Sequence, residues 1–408
     1  MHQPSFSKSS RQGVTAPVGF KAAGIHCGIK KKAGLLDLAL VVSEQSGPIA
    51  GVFTRNRIVA APVILDRLHL RRGQGRAIIV NSGNANACTG PAGMRTARQT
   101  TQLVARMLHI PQHEVFVGST GVIGRPLPFT HIQAGIPKLI GQLAARGGLQ
   151  AARAIMTTDL RPKHVAMQDK IGGRMVTIGG MAKGSGMIHP NMATMLSYLT
   201  TDAAITRTAL QRALTLAVQN SFNCISVDGD TSTNDTVLCL ANGLAANRTI
   251  SDGTSNFRRF VELLTETCQA LALAICRDGE GVTKVVKIDV SGADTAHQAH
   301  QIAQTVATSN LVKTALFGED ANWGRVMAAI GRAGVPVVPG KVSIWFDGVP
   351  MVRHGIGLGR VAEQRIAKVF KKKEFTIAIR LGAGRHRSHM WTTDLSYDYV
   401  RINASYRS

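Results

Sequence analysis

Several things are scarce in this sequence, and each scarcity excludes something. Phe, Trp and Tyr together make up 5% of the 408 residues, too few for the stacked aromatic platforms that hold single-stranded nucleic acid. No stretch approaches 18 consecutive apolar residues, which argues against a membrane span. The polar, Ser-rich start (Met1 to Arg11) lacks the apolar core and small-residue cleavage site of a secretory signal. The six cysteines (Cys27, Cys88, Cys224, Cys239, Cys268, Cys276) never form C-x-x-C, so neither a zinc ribbon nor a disulfide framework is suggested, and a cytoplasmic location fits. Acidic residues are few: 24 Asp and Glu against 48 Lys and Arg give a formal net charge of +24. Such a balance is the footprint of a nucleic-acid binder, but here it is diffuse. Residues 1–193 hold 24 basic and 6 acidic side chains, residues 194–408 hold 24 and 18, and the basic runs are short. A basic face that attracts an anionic small molecule explains the charge equally well.

Familiar site motifs are missing too. The Gly-Lys pair, Gly340-Lys341, is followed by Val342 and makes no P-loop. Gly184-Ser185-Gly186 has His189 where the dinucleotide fingerprint needs its third glycine. His113-Glu114 has no histidine at the zincin spacing, and no G-x-S-x-G elbow occurs. Asp228-Gly229-Asp230 starts like a calcium loop but lacks its Gly at position 6 and Glu at position 12.

What is present is an ordinary globular mixture, 44% hydrophobic with 42 Gly and 14 Pro. Strand signals at Arg76–Val80, Glu114–Gly118, Val237–Ala241, Lys284–Val290, Lys341–Phe346 and Phe375–Ile379 alternate with helical patterns. Pro91 to Leu108 reads as a helix with proline in its first turn. Leu210, Ala213, Leu214 and Ala217 mark one helical face, and Phe257, Phe260, Val261, Leu264, Cys268 and Leu271 another. Glycine clusters mark tight turns or close approaches. The pattern predicts a mixed α/β protein of layered sheets with helices outside.

One segment stands apart, Lys183 to Leu196 (KGSGMIHPNMATML). A Gly-Ser-Gly stretch runs into the stiff His189-Pro190-Asn191 and then Ala193-Thr194. On the residues alone two readings stay open: a loop feeding a strand, with Thr194 an ordinary β-branched strand residue, or a self-cleaving junction. In the second, the Thr194 hydroxyl attacks the Ala193 carbonyl, the chain shifts to an ester, and hydrolysis leaves Thr194 as a new N-terminus. Its own α-amine then serves as the base that an isolated threonine hydroxyl lacks. Ser119-Thr120-Gly121 reads locally as a turn after a strand, and Lys183 and Glu280 as solvated surface charges.

Taken in order, the motifs along the chain resemble the ornithine acetyltransferase (glutamate N-acetyltransferase) family, self-cleaving acetyl-recycling enzymes of arginine biosynthesis. They are Val14-Thr15-Ala16-Pro17, Asn81 to Ala87, Ser119 to Gly124, Met156-Thr157-Thr158-Asp159, Lys183 to Leu196, Asp228 to Asp235, Asp278 to Gly281, Gly318 to Arg325 and Tyr399 to Arg407. The resemblance implies an αββα sandwich of the self-processing, DmpA-like N-terminal-nucleophile kind. It implies cleavage between Ala193 and Thr194 into an alpha chain (1–193) and a beta chain (194–408) that stay intertwined, two of each forming a heterotetramer. Thr194 is then the nucleophile. The Thr120 hydroxyl and the Gly121 N–H form the oxyanion hole, and Thr157, Lys183, Thr194, Glu280, Asn403 and Ser408 bind substrate. Ser408 stands where the family often has threonine. The implied activity passes acetyl from N2-acetylornithine to glutamate through an acetyl-Thr194 ester, without cofactor or metal; use of acetyl-CoA as a further donor is left open. The alternatives are an aminopeptidase or amidase of similar fold and, outside enzymes, a basic nucleic-acid-binding protein.

Overall fold

The computed structural model describes residues 12–189 and 195–405. Its first sheet system contains β1 (Phe20–Ile25), β2 (Leu38–Phe53), β3 (Gln74–Asn84), β4 (Val115–Val122), β5 (Lys163–Ile171), β6 (Arg174–Lys183) and β7 (Leu196–Thr201), joined by β9 (Thr236–Ala241). The order is β4-β3-β2-β9-β7-β6-β5, with β1 also on β2. The pairs β3–β4 and β7–β9 are parallel and the others antiparallel.

Strand β2 is 16 residues long and serves two layers. Its first part, Leu38–Val42, pairs with β1 and β3, and its last part, Ile49–Phe53, pairs with β9. The alternation of side chains along each strand then fills three cores. Ala39, Val41, Ile78, Val80 and Phe116 from one layer meet Met181, Leu196, Tyr198, Leu238 and Leu240 from the other. The opposite-facing Leu38, Leu40, Ala77, Ile79, Val115 and Val117 are covered by α1 (Ala61–Leu70), α2 (Gly90–Leu108) and α3 (Phe129–Gly141) through Leu65, Val104, Ile132 and Ile136. On the far side, Val176, Ile178, Leu199, Val237 and Cys239 are covered by α5 (Arg207–Gln219) and α6 (Ser255–Arg277). The short α4 (Gly148–Ala154) contributes Ala151, Ala152 and Ala154 to the central core. This is an αββα sandwich, with the layering that the sequence pattern and the resemblance both predict.

The helical faces expected in α5 and α6 are the buried ones, except that Val261 is only half-buried. Both helices begin where a threonine side chain caps them: Thr206 accepts from the Ala209 N–H and Thr254 from the Phe257 N–H. One strand expectation is shortened. Lys341–Phe346 begins only at Ser343, because Pro339–Lys341 is a 3-10 turn.

A second sheet has its own core. It comprises β8 (Ile225–Ser226), β10 (Val285–Ala293), β11 (Ser343–Phe346), β12 (Val349–Arg353), β13 (Ile356–Gly357), β14 (Glu374–Arg380) and β15 (His386–Thr393) in the order β13-β12-β11-β14-β10-β15-β8. Around it lie α7 (Ala296–Ala307), α8 (Asn310–Phe317), α9 (Trp323–Gly331) and α10 (Arg360–Phe370), with α11 (Tyr397–Ser405) returning to the first unit. Among the described residues no helix is long and apolar enough to cross a membrane.

The chain crosses the 190–194 stretch inside the first unit. Strands β2 and β6 precede it and β7 and β9 follow it, yet the ladder runs β2-β9-β7-β6. Earlier and later segments therefore interleave in one sheet.

Candidate active site

Strand β4 carries the first two site residues. Ser119-Thr120-Gly121 is not a free turn, as its local pattern suggests, but strand: β4 runs on to Val122 and pairs in parallel with β3. The cause is a contact no local pattern shows. Gly121 adopts φ +132°, and a Cβ there would lie 2.3 Å from the Gly83 carbonyl carbon, so only glycine lets β3 and β4 close up at this point. Side chains from elsewhere fix the strand end. Ser119 Oγ donates to Asn81 Oδ1 at 2.6 Å. Asn234 Nδ2 donates to the Ala85 and Ser119 carbonyls at 2.7 and 2.8 Å. The Thr120 side chain emerges beside them, 7% exposed.

Lys183 ends β6 and pairs with Leu196, the first residue of β7. The loop between them thus leaves and re-enters the sheet at adjacent points. At its return, the Met195 N–H donates to Asp235 Oδ1 at 3.2 Å, and the Thr236 N–H donates to the Met195 carbonyl at 3.1 Å. Lys183 is buried, not solvated, and its Nζ donates to Thr120 Oγ1 at 3.2 Å. Burial lowers its pKa below the ordinary lysine value, opposed by the charges of Asp159, Glu280 and Asp235 and reinforced by Lys163.

Asp159 organises this charge. Its Oδ1 accepts from Lys163 Nζ at 2.6 Å and from the Gly184 N–H at 2.8 Å, and its Oδ2 accepts from the Thr157 N–H at 2.9 Å. Burial alone would raise its pKa, but Lys183 and Lys163 hold it down to about 2. Lys163 continues the chain of charges to Asp278 Oδ2 at 2.6 Å. One carboxylate thereby fixes both Thr157 and the residue after Lys183.

Glu280 is also buried. Its N–H donates to the Ser185 carbonyl at 2.9 Å, its carboxylate lies where a Cβ on Gly186 would be, and its Oε2 accepts from Asn403 Nδ2 of α11 at 2.9 Å. The neighbouring Met187 and Ile188 N–H groups are held by Asp228 at 2.5 and 2.8 Å, and Tyr399 Oη donates to the same carboxylate at 3.3 Å.

Thr120, Gly121, Thr157, Lys183, Glu280 and Asn403, drawn from positions across the chain, line one small cleft of about 80 Å³, together with Asn234, Ser232 and Thr158. A buried cation and a buried carboxylate in the same small space suit a ligand carrying both charges. Ala193, Thr194 and Ser408 lie outside the described residues. Sequence reasoning gave no role to Asp159, Lys163, Asn234 or Asp235. The available signal was scarcity, since Asp159 is one of only 6 acidic residues in the first 193.

The sequence model of the ArgJ family matches residues 21–408. The arginine biosynthesis bifunctional protein ArgJ of Symbiobacterium thermophilum is 50% identical over 397 residues, 97% of this chain and 98% of its own. That of Geobacter sulfurreducens is 50% identical over 390 residues, 96% and 99% of the two chains. The crystal structure of arginine biosynthesis bifunctional protein ArgJ from Bacillus halodurans aligns with TM-score 0.50 and 41% identity, covering 52% of this chain and 100% of its own. With a likeness of this depth running through every segment that lines the cleft, the chain belongs to the ArgJ family.

Proposed function

We propose that this protein is a self-processed acetyltransferase that moves an acetyl group from N2-acetylornithine to glutamate. The observation that carries the reading is the convergence of Thr120, Gly121, Thr157, Lys183, Glu280 and Asn403 on one cleft, at the place where the chain returns to β7 through Met195. The relatives' names, which place those proteins in arginine biosynthesis, favour it over the amidase and nucleic-acid alternatives.

Processing comes first. Thr194 Oγ adds to the Ala193 carbonyl carbon, the C–N bond breaks as the ester forms, and water hydrolyses the ester to the Ala193 carboxylate and a free Thr194 α-amine. In turnover that amine takes the hydroxyl proton as Thr194 Oγ attacks the acetyl carbonyl. The tetrahedral oxyanion is held by the Thr120 hydroxyl and the Gly121 N–H. The proton passes to the departing α-amine of ornithine, leaving acetyl-Thr194, and the amine of glutamate reverses the sequence. Lys183 holds the amino-acid carboxylate, Glu280 holds the side-chain ammonium of ornithine, and Thr157, Asn403 and Ser408 complete the substrate site. No cofactor or metal is required. The pieces 1–193 and 194–408 remain one body, with two of each per assembly, in the cytoplasm.

The test is direct. Wild-type protein should run as fragments of 193 and 215 residues under denaturation, and Thr194→Ala should stay intact and inactive. Double-reciprocal plots for N2-acetylornithine and glutamate should be parallel. Intersecting lines, or acetate release that outpaces N-acetylglutamate formation at saturating glutamate, would count against transfer. Running the same assay with acetyl-CoA as donor separates a monofunctional from a bifunctional enzyme.

A further inference from the structure

Lys183 touches Thr120 directly, and that contact has a direction. A protonated lysine has three donors and no acceptor. In the 3.2 Å contact between Lys183 Nζ and Thr120 Oγ1 the hydroxyl oxygen is therefore the acceptor. Its own proton must point elsewhere, and Thr120 lines the cleft. A hydroxyl that accepts from a cation also donates more strongly, because linked hydrogen bonds polarise one another in a low-dielectric site.

The lysine is held for this. It ends β6 in register with Leu196, the next N–H is bound by Asp159, and Asp159 is itself neutralised by Lys163. The charged groups facing Lys183 are Asp159 before β5 and Lys163 at its start, Glu280 from the segment after α6, Asp235 ahead of β9, and Lys30 from the segment between β1 and β2.

We propose that Lys183 is a positioning residue of the oxyanion hole, donating to Thr120 Oγ1 so that the Thr120 hydroxyl is fixed as a donor into the cleft. This rests on the self-processing reading above and goes beyond carboxylate binding. One ammonium serves both tasks, since a single N–H is spent on Thr120 and two remain. The two roles separate in self-cleavage, which passes through an oxyanion at Ala193 but involves no substrate carboxylate. A carboxylate anchor is idle in that step, whereas a residue that aims Thr120 is not.

The experiment follows the conversion of freshly synthesised full-length chain into the 193- and 215-residue fragments in a cell-free translation, for wild type, Lys183→Met, Thr120→Val and the double variant. Lys183→Met should slow processing roughly 10- to 100-fold, below the ~10²–10³-fold of losing a whole oxyanion donor. The double variant should be no slower than Thr120→Val, because the lysine acts through that hydroxyl. In material that has processed, Lys183→Met should lower kcat as well as raise KM. Lys183→Gln keeps an N–H donor and should process at a rate between wild type and Thr120→Val, which carries the test if the methionine variant fails to fold. Wild-type processing rates in Lys183→Met or Lys183→Gln, or a Lys183→Met defect confined to KM, overturn the proposal alone. A wild-type chain that never cleaves overturns the self-processing reading, and this proposal with it.

Discussion

The two units of the molecule bury different things. The αββα unit hides Asp37, Asp66, Asp159, Lys163, Lys183, Asp202 and Asp235, whereas among the described residues of 285–393 the buried charged side chain is Lys313. That lysine lies at the seam, where its Nζ bonds the Thr393 carbonyl and hydroxyl and feels Asp394 and Asp228. The second core otherwise relies on aliphatic packing and the Phe346, Phe370 and Phe375 cluster. Burying a charge is costly unless it is paired or hydrogen-bonded, so the first unit has a use for it. Its carboxylates hold backbone that no ladder holds. Asp37 takes the Cys27, Gly28 and Lys30 N–H groups, Asp202 those of Val18 and Thr177, and Asp159 those of Thr157 and Gly184. A cleft made of loops between strands needs such anchors.

If that division is real, damage to the two units should read out differently. Phe370 is 1% exposed, with ring centroids 5.5 and 5.0 Å from Phe346 and Phe375. Phe370→Ala should cost ~3–5 kcal/mol in urea unfolding while the folded fraction keeps its kcat. Thr120→Ala should do the reverse, losing ~10²–10³ in kcat, about 3–4 kcal/mol of transition-state stabilisation, with its melting temperature nearly unchanged. An acid titration should weaken the first unit through Asp159. Asp159 is depressed from 3.8 to about 2, so its contribution, roughly 2 kcal/mol, is complete above pH ~4 and is lost as pH falls toward ~2. Fluorescence-detected unfolding should show that acid limb in wild type and not in Asp159→Asn. The smallest effect belongs to the exposed seam. Arg277 at the end of α6 grips both oxygens of Glu374 on β14 at 2.5 and 2.9 Å, and Arg277→Ala should cost under ~1 kcal/mol. A larger loss there would mean the two units share stability more than their cores suggest.

Local pattern was legible in parts of both units. Period carried α5, α6 and the strands β10, β11 and β14, and a first-turn proline marked α2, because such patterns are local information. The end of β4 was misread as a turn because Gly121 is strand only by virtue of Gly83, 38 positions earlier. Lys183 and Glu280 looked solvated because what holds them is remote: Asp159 lies 24 positions before the lysine, and Asn403 lies 123 after the glutamate. The motifs that carried the family resemblance span these partners, including Met156 to Asp159 and Asp228 to Asp235. They located the cleft without revealing that Asp159 and Asn234 do structural work there.

The interleaved ladder also limits how the molecule ages. Between residues 38 and 241, β2–β9 and β6–β7 each join a strand from before position 190 to one from after 194. In a chain severed in that stretch, the later piece is sewn in on both edges of the β9–β7 pair. It leaves only when the whole sheet opens, on the timescale of global unfolding. A severed molecule would therefore keep for life the halves made together in one translation. Heavy- and light-isotope preparations mixed under native conditions should yield no hybrid, and a damaged half is not repaired by exchange but discarded with its partner.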